Sequence, residues 1–136
     1  MKKLIYLLTI ISIVFVFSSC QKAPNAKDIT GTWDVYSVEN YDAENNKLDS
    51  WSQPLGTYDL QEGGVCVVTY NSNGRSFNWS WSYDKSTKVL SLTTNNDWGT
   101  VNLNIIEFDD QNAKVKLEKD PETSNIAYRL ISARKK

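Results

Sequence analysis

Ser76-Phe77-Asn78-Trp79-Ser80-Trp81-Ser82-Tyr83 decides the fold. Large aromatic residues hold every second position and small polar residues fill the gaps. Successive side chains of an extended strand point to opposite faces, so Phe77, Trp79, Trp81 and Tyr83 share one face while Asn78, Ser80 and Ser82 share the other. This period of two is incompatible with a helix. Turn signals bound the segment on both sides. Asn71-Ser72-Asn73-Gly74 precedes it, with the Asn-Gly pair as the strongest hairpin signal in the chain, and Asp84–Thr87 follows it.

The same alternation of strand and turn continues outward. Upstream lie Val65–Tyr70, apolar on both faces and so a well-covered strand, then the turn Glu62-Gly63-Gly64 and a strand at Gly56–Leu60. Before these come a long irregular loop rich in Asn and Asp, Asn40–Gln53, and a first strand at Gly31–Glu39. Downstream, Lys88–Thr93 leads through Asn95-Asn96-Asp97 to a long strand from Trp98 to Phe108. Its adjacent apolar residues Ile105 and Ile106 predict a bulge. Asp109–Asn112 turns into Ala113–Lys119, and Asp120-Pro121-Glu122 leads to the last strand, Ile126–Ser132. The reading is all-β, eight strands with no helical pattern after residue 20. Short connections make consecutive strands antiparallel neighbours, and eight of them close most economically into an up-and-down barrel that leaves no edge exposed. A two-sheet sandwich is the alternative.

The chain has 136 residues and contains no histidine. Without histidine there is no Ser-His-Asp or Cys-His machinery and no imidazole metal ligand. Asp42, Glu44, Asp49, Asp109 and Asp110 fall in loops and turns, where Asp serves local hydrogen bonding, and they match no calcium-loop spacing. The sequence therefore offers no catalytic residue, no metal site and no cofactor motif.

The start of the chain reads differently from the rest. Lys2 and Lys3 precede an uncharged apolar run, Leu4–Phe17, which is followed by Ser18-Ser19-Cys20. A basic start, an apolar stretch too short to span a membrane and small residues before a cut make a secretory signal. Phe17-Ser18-Ser19-Cys20 resembles the lipobox of bacterial lipoproteins. That resemblance implies cleavage before Cys20, lipidation of its thiol and attachment to a membrane through the acyl chains. Gln21 stands where Asp would favour inner-membrane retention, so the outer membrane is the expected address. Removal of residues 1–19 takes Lys2 and Lys3 from the 15 basic residues. It leaves 117 residues with 13 basic against 16 acidic side chains, a net charge of −3. One domain fits that length, and the mild acidity carries no nucleic-acid footprint. Residues 20–28 read as the lipidated cysteine and a polar tether, and 29–136 as the folded domain. Cys66 is then the sole free thiol, expected as a small buried hydrophobe.

Ile29-Thr30-Gly31-Thr32-Trp33-Asp34-Val35 opens that domain. Gly31-Thr32-Trp33 resembles the Gly-x-Trp signature of the lipocalins, and the domain as a whole is similar to the small lipocalin-like lipoproteins of bacterial envelopes. The resemblance implies that Trp33 plugs one end of the barrel, with Gly31 giving the chain its turn and an arginine of the last strand, Arg129 or Arg134, over the indole. The domain is short for a lipocalin, without disulfides or a helix pattern after the barrel, so both an open and a filled interior stay possible.

Two features bear on function. Phe77, Trp79, Trp81 and Tyr83 either fill the interior as core or line a pocket for a small hydrophobic ligand, because eight strands enclose just enough room for side chains or one small ligand. Trp51, in the polar loop beside Pro54, is either a lid over the barrel mouth or a contact for a protein partner. The first function expected is non-enzymatic binding of a small apolar or amphipathic molecule. The second is a protein-interaction module, an envelope-enzyme inhibitor or assembly partner, built on a filled barrel. Whether the interior is empty or filled separates them.

Overall fold

The computed structural model describes residues 23–52, 54–94, 99–118 and 125–136. The leader, Cys20 and Trp98 lie outside the described residues.

The strands are β1 (Gly31–Tyr41), β2 (Lys47–Trp51), β3 (Gly56–Gln61), β4 (Val65–Tyr70) and β5 (Ser76–Asp84), then β6 (Val89–Thr93), β7 (Thr100–Phe108), β8 (Asn112–Glu118) and β9 (Tyr128–Lys135). All pairings are antiparallel, and β1 pairs with β9 from Trp33 to Tyr41, so β1 and β3–β9 close an eight-stranded up-and-down barrel of lipocalin-like type. Apolar side chains on alternate positions of every barrel strand point inward, which is why the sheet closes on itself.

The ninth strand, β2, corrects the reading of Asn40–Gln53 as irregular. Asp42 accepts hydrogen bonds from the backbone N–H groups of Glu44 and Asn46, and Asn45 adopts a left-handed φ of 65°. That turn folds Lys47–Trp51 back onto Val38–Tyr41. Below this point the same edge of β1 pairs with β3, from Gly31 to Val35. β2 therefore extends the wall at one end of the barrel without becoming one of its eight staves. The expected bulge in β7 is present: the register slips between Ile105 and Glu107, turning Ile106 out to solvent while Ile105 and Phe108 face the interior.

A short helix, α1 (Ala26–Ile29), also departs from the sequence reading, which placed residues 20–28 in a tether. Tyr83 Oη donates to the Pro24 carbonyl at 2.8 Å, Lys85 Nζ to Asn25 Oδ1 at 2.7 Å and Lys135 Nζ to the Asp28 carbonyl at 3.2 Å. Pro24 and Ile29 are buried. The segment from Pro24 onward is thus part of the fold, and its Ile29 closes one end of the barrel.

Candidate functional site

The interior is not filled. A partly open cavity of about 460 Å³ runs through the barrel, within the ~300–1,000 Å³ typical of small-molecule sites. Its floor is Ile29 and Trp33, and its walls are almost wholly aliphatic and aromatic, with Leu60, Leu92, Leu103 and Ile131 among them. Val38, Leu55, Tyr70, Thr94, Leu117 and Arg129 line it at the opposite strand ends, the rim.

Trp33 builds the floor. It is 5% exposed, donates from Nε1 to the Ile29 carbonyl at 2.8 Å and packs at a tilt on Phe108, ring centroids 5.8 Å apart. Gly31, two residues earlier, has φ 124°, and a Cβ there would stand 2.8 Å from Lys135 Cε. The cation over the indole is Lys135, with Nζ 5.5 Å from the ring centroid, rather than Arg129 or Arg134. Residues 129, 131, 133 and 135 of β9 share the inner face, so Arg134 points outward, where it lies over Tyr36 at 4.8 Å. Arg129 points inward but sits six residues from Lys135, roughly 20 Å along the strand, at the rim.

The aromatic row of β5 faces the interior and spans the height of the barrel, because barrel strands run obliquely from one end to the other. Phe77 stands at the rim, 43% exposed and edge-on to Tyr70. Trp79 lines the cavity and meets Tyr58 edge-on at 6.3 Å. Trp81 packs against the core and donates Nε1 to the Gln61 carbonyl, and Tyr83 anchors α1. Of the four, only Trp79 borders the space. Trp51 is 48% exposed on β2, opposite the cavity-lining Val38, at the rim.

Few polar groups reach this space. The Tyr58 hydroxyl is pushed up to about 12 by burial, with lesser contributions from Tyr70 and Cys66. Cys66 does not border the cavity: it is fully buried, and its thiol is also pushed up to about 12, chiefly by burial and then by the Asp59 charge, so it stays a neutral thiol at physiological pH. Arg129 is half-buried, and its Nε is shut off from solvent with no hydrogen-bond partner. The sequence reading missed Leu103 and Ile131 as lining because ordinary aliphatic residues on alternating strands carry no mark that distinguishes a cavity wall from a core.

Among the described residues, no group of three or more His, Cys, Asp or Glu side chains converges in a way that could hold a metal. What the arrangement offers is a concave apolar surface, a closed floor and, among the described residues, one cation lining the rim. Compared with known proteins, the chain matches no family model, no curated sequence and no solved structure.

Proposed function

We propose that this protein is an outer-membrane-anchored lipoprotein whose lipocalin-like barrel binds a small apolar or amphipathic molecule without catalysis. The observation that carries the proposal is the cavity of about 460 Å³ with an apolar wall. Inward residues such as Val115, Leu117 and Ile131 lie on the interior face yet keep accessible surface, because the space in front of them is empty. Covering such surface with an apolar ligand gains roughly 25 cal/mol per Å². The anchor rests on Phe17-Ser18-Ser19-Cys20 alone. Held by acyl chains at Cys20 and followed by a short tether, the barrel works within a few nanometres of a membrane surface.

Tryptophan fluorescence tests the binding. Trp33 and Trp79 border the cavity, so a panel of apolar and amphipathic molecules should contain members that alter the emission saturably, and Trp79→Phe should diminish the change. A panel without effect on the wild-type protein overturns the proposal. Cys20→Ala tests the anchor by moving the protein from the membrane to the soluble fraction.

A second reading, a protein-interaction module, is favoured by one observation. Leu48 and Trp51 on β2 and Phe77 on β5 are each more than 40% exposed. It predicts a co-purifying protein that Trp51→Ala releases.

A further inference from the structure

We propose that Arg129 selects the ligand's head group, so that the cavity takes a single-chain amphiphile with an anionic head, a carboxylate or a phosphate ester, tail toward the floor. This inference rests on the binding function proposed above and adds the chemical class of the ligand.

Arg129 is out of place in its surroundings. Its neighbours across the ladder are Leu117 on β8 and Asn40 on β1, and it shares the inner face of β9 with Ile131 and Ala133. A cation set against an apolar wall normally finds an acid. Here no ion pair or hydrogen bond to it is present among the described residues, and its Nε is buried without a partner. Among the described residues the adjacent acids are engaged elsewhere: Glu39 pairs with Lys47, Glu118 with Lys116, and Asp49 accepts from Asn40 Nδ2 at 2.7 Å. A cation at the edge of an apolar hollow, with no acid paired to it among the described residues, is half of an ion pair. A ligand that brings the anion completes it.

The geometry fixes the ligand's orientation. Arg129 sits at the rim and Ile29 and Trp33 at the floor. A head held at Arg129 therefore leaves the tail running down the apolar wall, in the manner of a chain sheathed from water. Nε is shut off from solvent, so the two Nη groups are the part of the guanidinium fork that a head group meets, and together they can engage two oxygens of a carboxylate or phosphate. A neutral head leaves the cation uncompensated, and a cationic head is repelled, so the same residue both favours one class and rejects another.

The test uses the soluble domain with its natural residues and four probes of equal chain length: dodecanoate, dodecyl phosphate, dodecanol and dodecyltrimethylammonium. Each is titrated below its micelle concentration by calorimetry against wild type and Arg129→Met, which removes the charge but keeps an apolar side chain of similar length. Wild type should bind at least one anion about tenfold or more tightly than dodecanol, as expected for charge-assisted bonds, and should bind the ammonium probe least. The stronger of the two anions identifies the carboxylate or phosphate source. Arg129→Met should lose that preference while its affinity for dodecanol stays within about threefold, a split that a merely structural role would not produce. Equal binding of the anions and dodecanol by wild type overturns the assignment, whether or not the variant folds. So does an equal loss for both probes in the variant, which would mark Arg129 as a wall residue. Binding of none of the four refutes the binding function itself, an outcome distinct from failure of the head-group assignment.

Discussion

Replacing Ala133 by leucine adds three carbon atoms to a wall that faces open space. Ala133 on β9 lies opposite Ala113 on β8 and beside Val35 on β1, and all three border the cavity. With two alanines paired on the cavity wall, a longer side chain at position 133 extends into the open space. Each methylene-sized group buried there gains about 0.8 kcal/mol, giving roughly 2 kcal/mol as an upper bound before side-chain ordering is subtracted. With a urea m-value of about 2 kcal/mol per M, the unfolding midpoint rises by up to about 1 M. The assay is equilibrium urea unfolding of wild type and Ala133→Leu, followed by circular dichroism, with the m-value compared to check two-state behaviour. The sign carries the test. A side-chain-filled interior is overpacked by the same change and loses about 1–3 kcal/mol, so a clear fall in stability would refute the open barrel. The variant should also bind any interior ligand more weakly, since it takes up the same space.

Other consequences can be measured in parallel. Trp33→Phe strips the Ile29 carbonyl of its indole donor inside the floor and should cost about 1–3 kcal/mol in urea unfolding; Trp33→Ala should cost about 3–5, and a loss below 1 kcal/mol for both would contradict the plug. Gly56→Ala places a Cβ 2.6 Å from the Thr69 backbone oxygen, so β3 and β4 must part at the rim, and the variant should lose hydrogen-exchange protection along Gly56–Leu60 and Val67–Tyr70. Cys66 should resist thiol reagents at pH 8 in the native protein and react at once in urea. The folded-state pKa values of Cys66 and Tyr58, both about 12, exceed their ordinary values of 9.0 and 10.0, so the native state holds more protons than the unfolded one across that interval. Stability is therefore complete below about pH 9 and falls as pH rises toward 12, by up to about 1.4 kcal/mol per pH unit for each group; Cys66→Ala should make the decline shallower, and a stability that stayed flat from pH 9 to 11 would rule out the buried neutral pair.

The barrel was legible in the sequence because its decisive signal is local. Phe77, Trp79, Trp81 and Tyr83 take one face at period two whatever lies across from them, and the Asn-Gly and Gly-Gly turns mark where the chain reverses. β2 was not legible for the opposite reason. All five of its residues are exposed, it is held through backbone pairing to Val38–Tyr41, and no apolar alternation betrays it. α1 is four residues long, too short for a helical period to register. The role of each aromatic depends on depth, which sequence spacing does not carry: an oblique strand puts Phe77 at the rim and Tyr83 beyond the floor although they share a face. The arginine expected over Trp33 failed on parity and distance together. Arg134 has the wrong parity for the interior and Arg129 the wrong height, which leaves Lys135 beside the indole and Arg129 free to face the cavity mouth.

Methyl-resolved NMR tests the central claim, an interior open to a small apolar or amphipathic guest, most directly. With Leu, Ile, Val and Ala methyls labelled, addition of the best-binding twelve-carbon probe should shift the signals of Leu103, Val115, Ile131 and Ala133, which border the cavity. Leu48, Val65 and Ile106, which are exposed on other surfaces, should stay in place, and contacts from the probe's methyl end should appear at Ile29. Shifts confined to the exposed methyls, with those of the interior unmoved at saturation, would contradict the account.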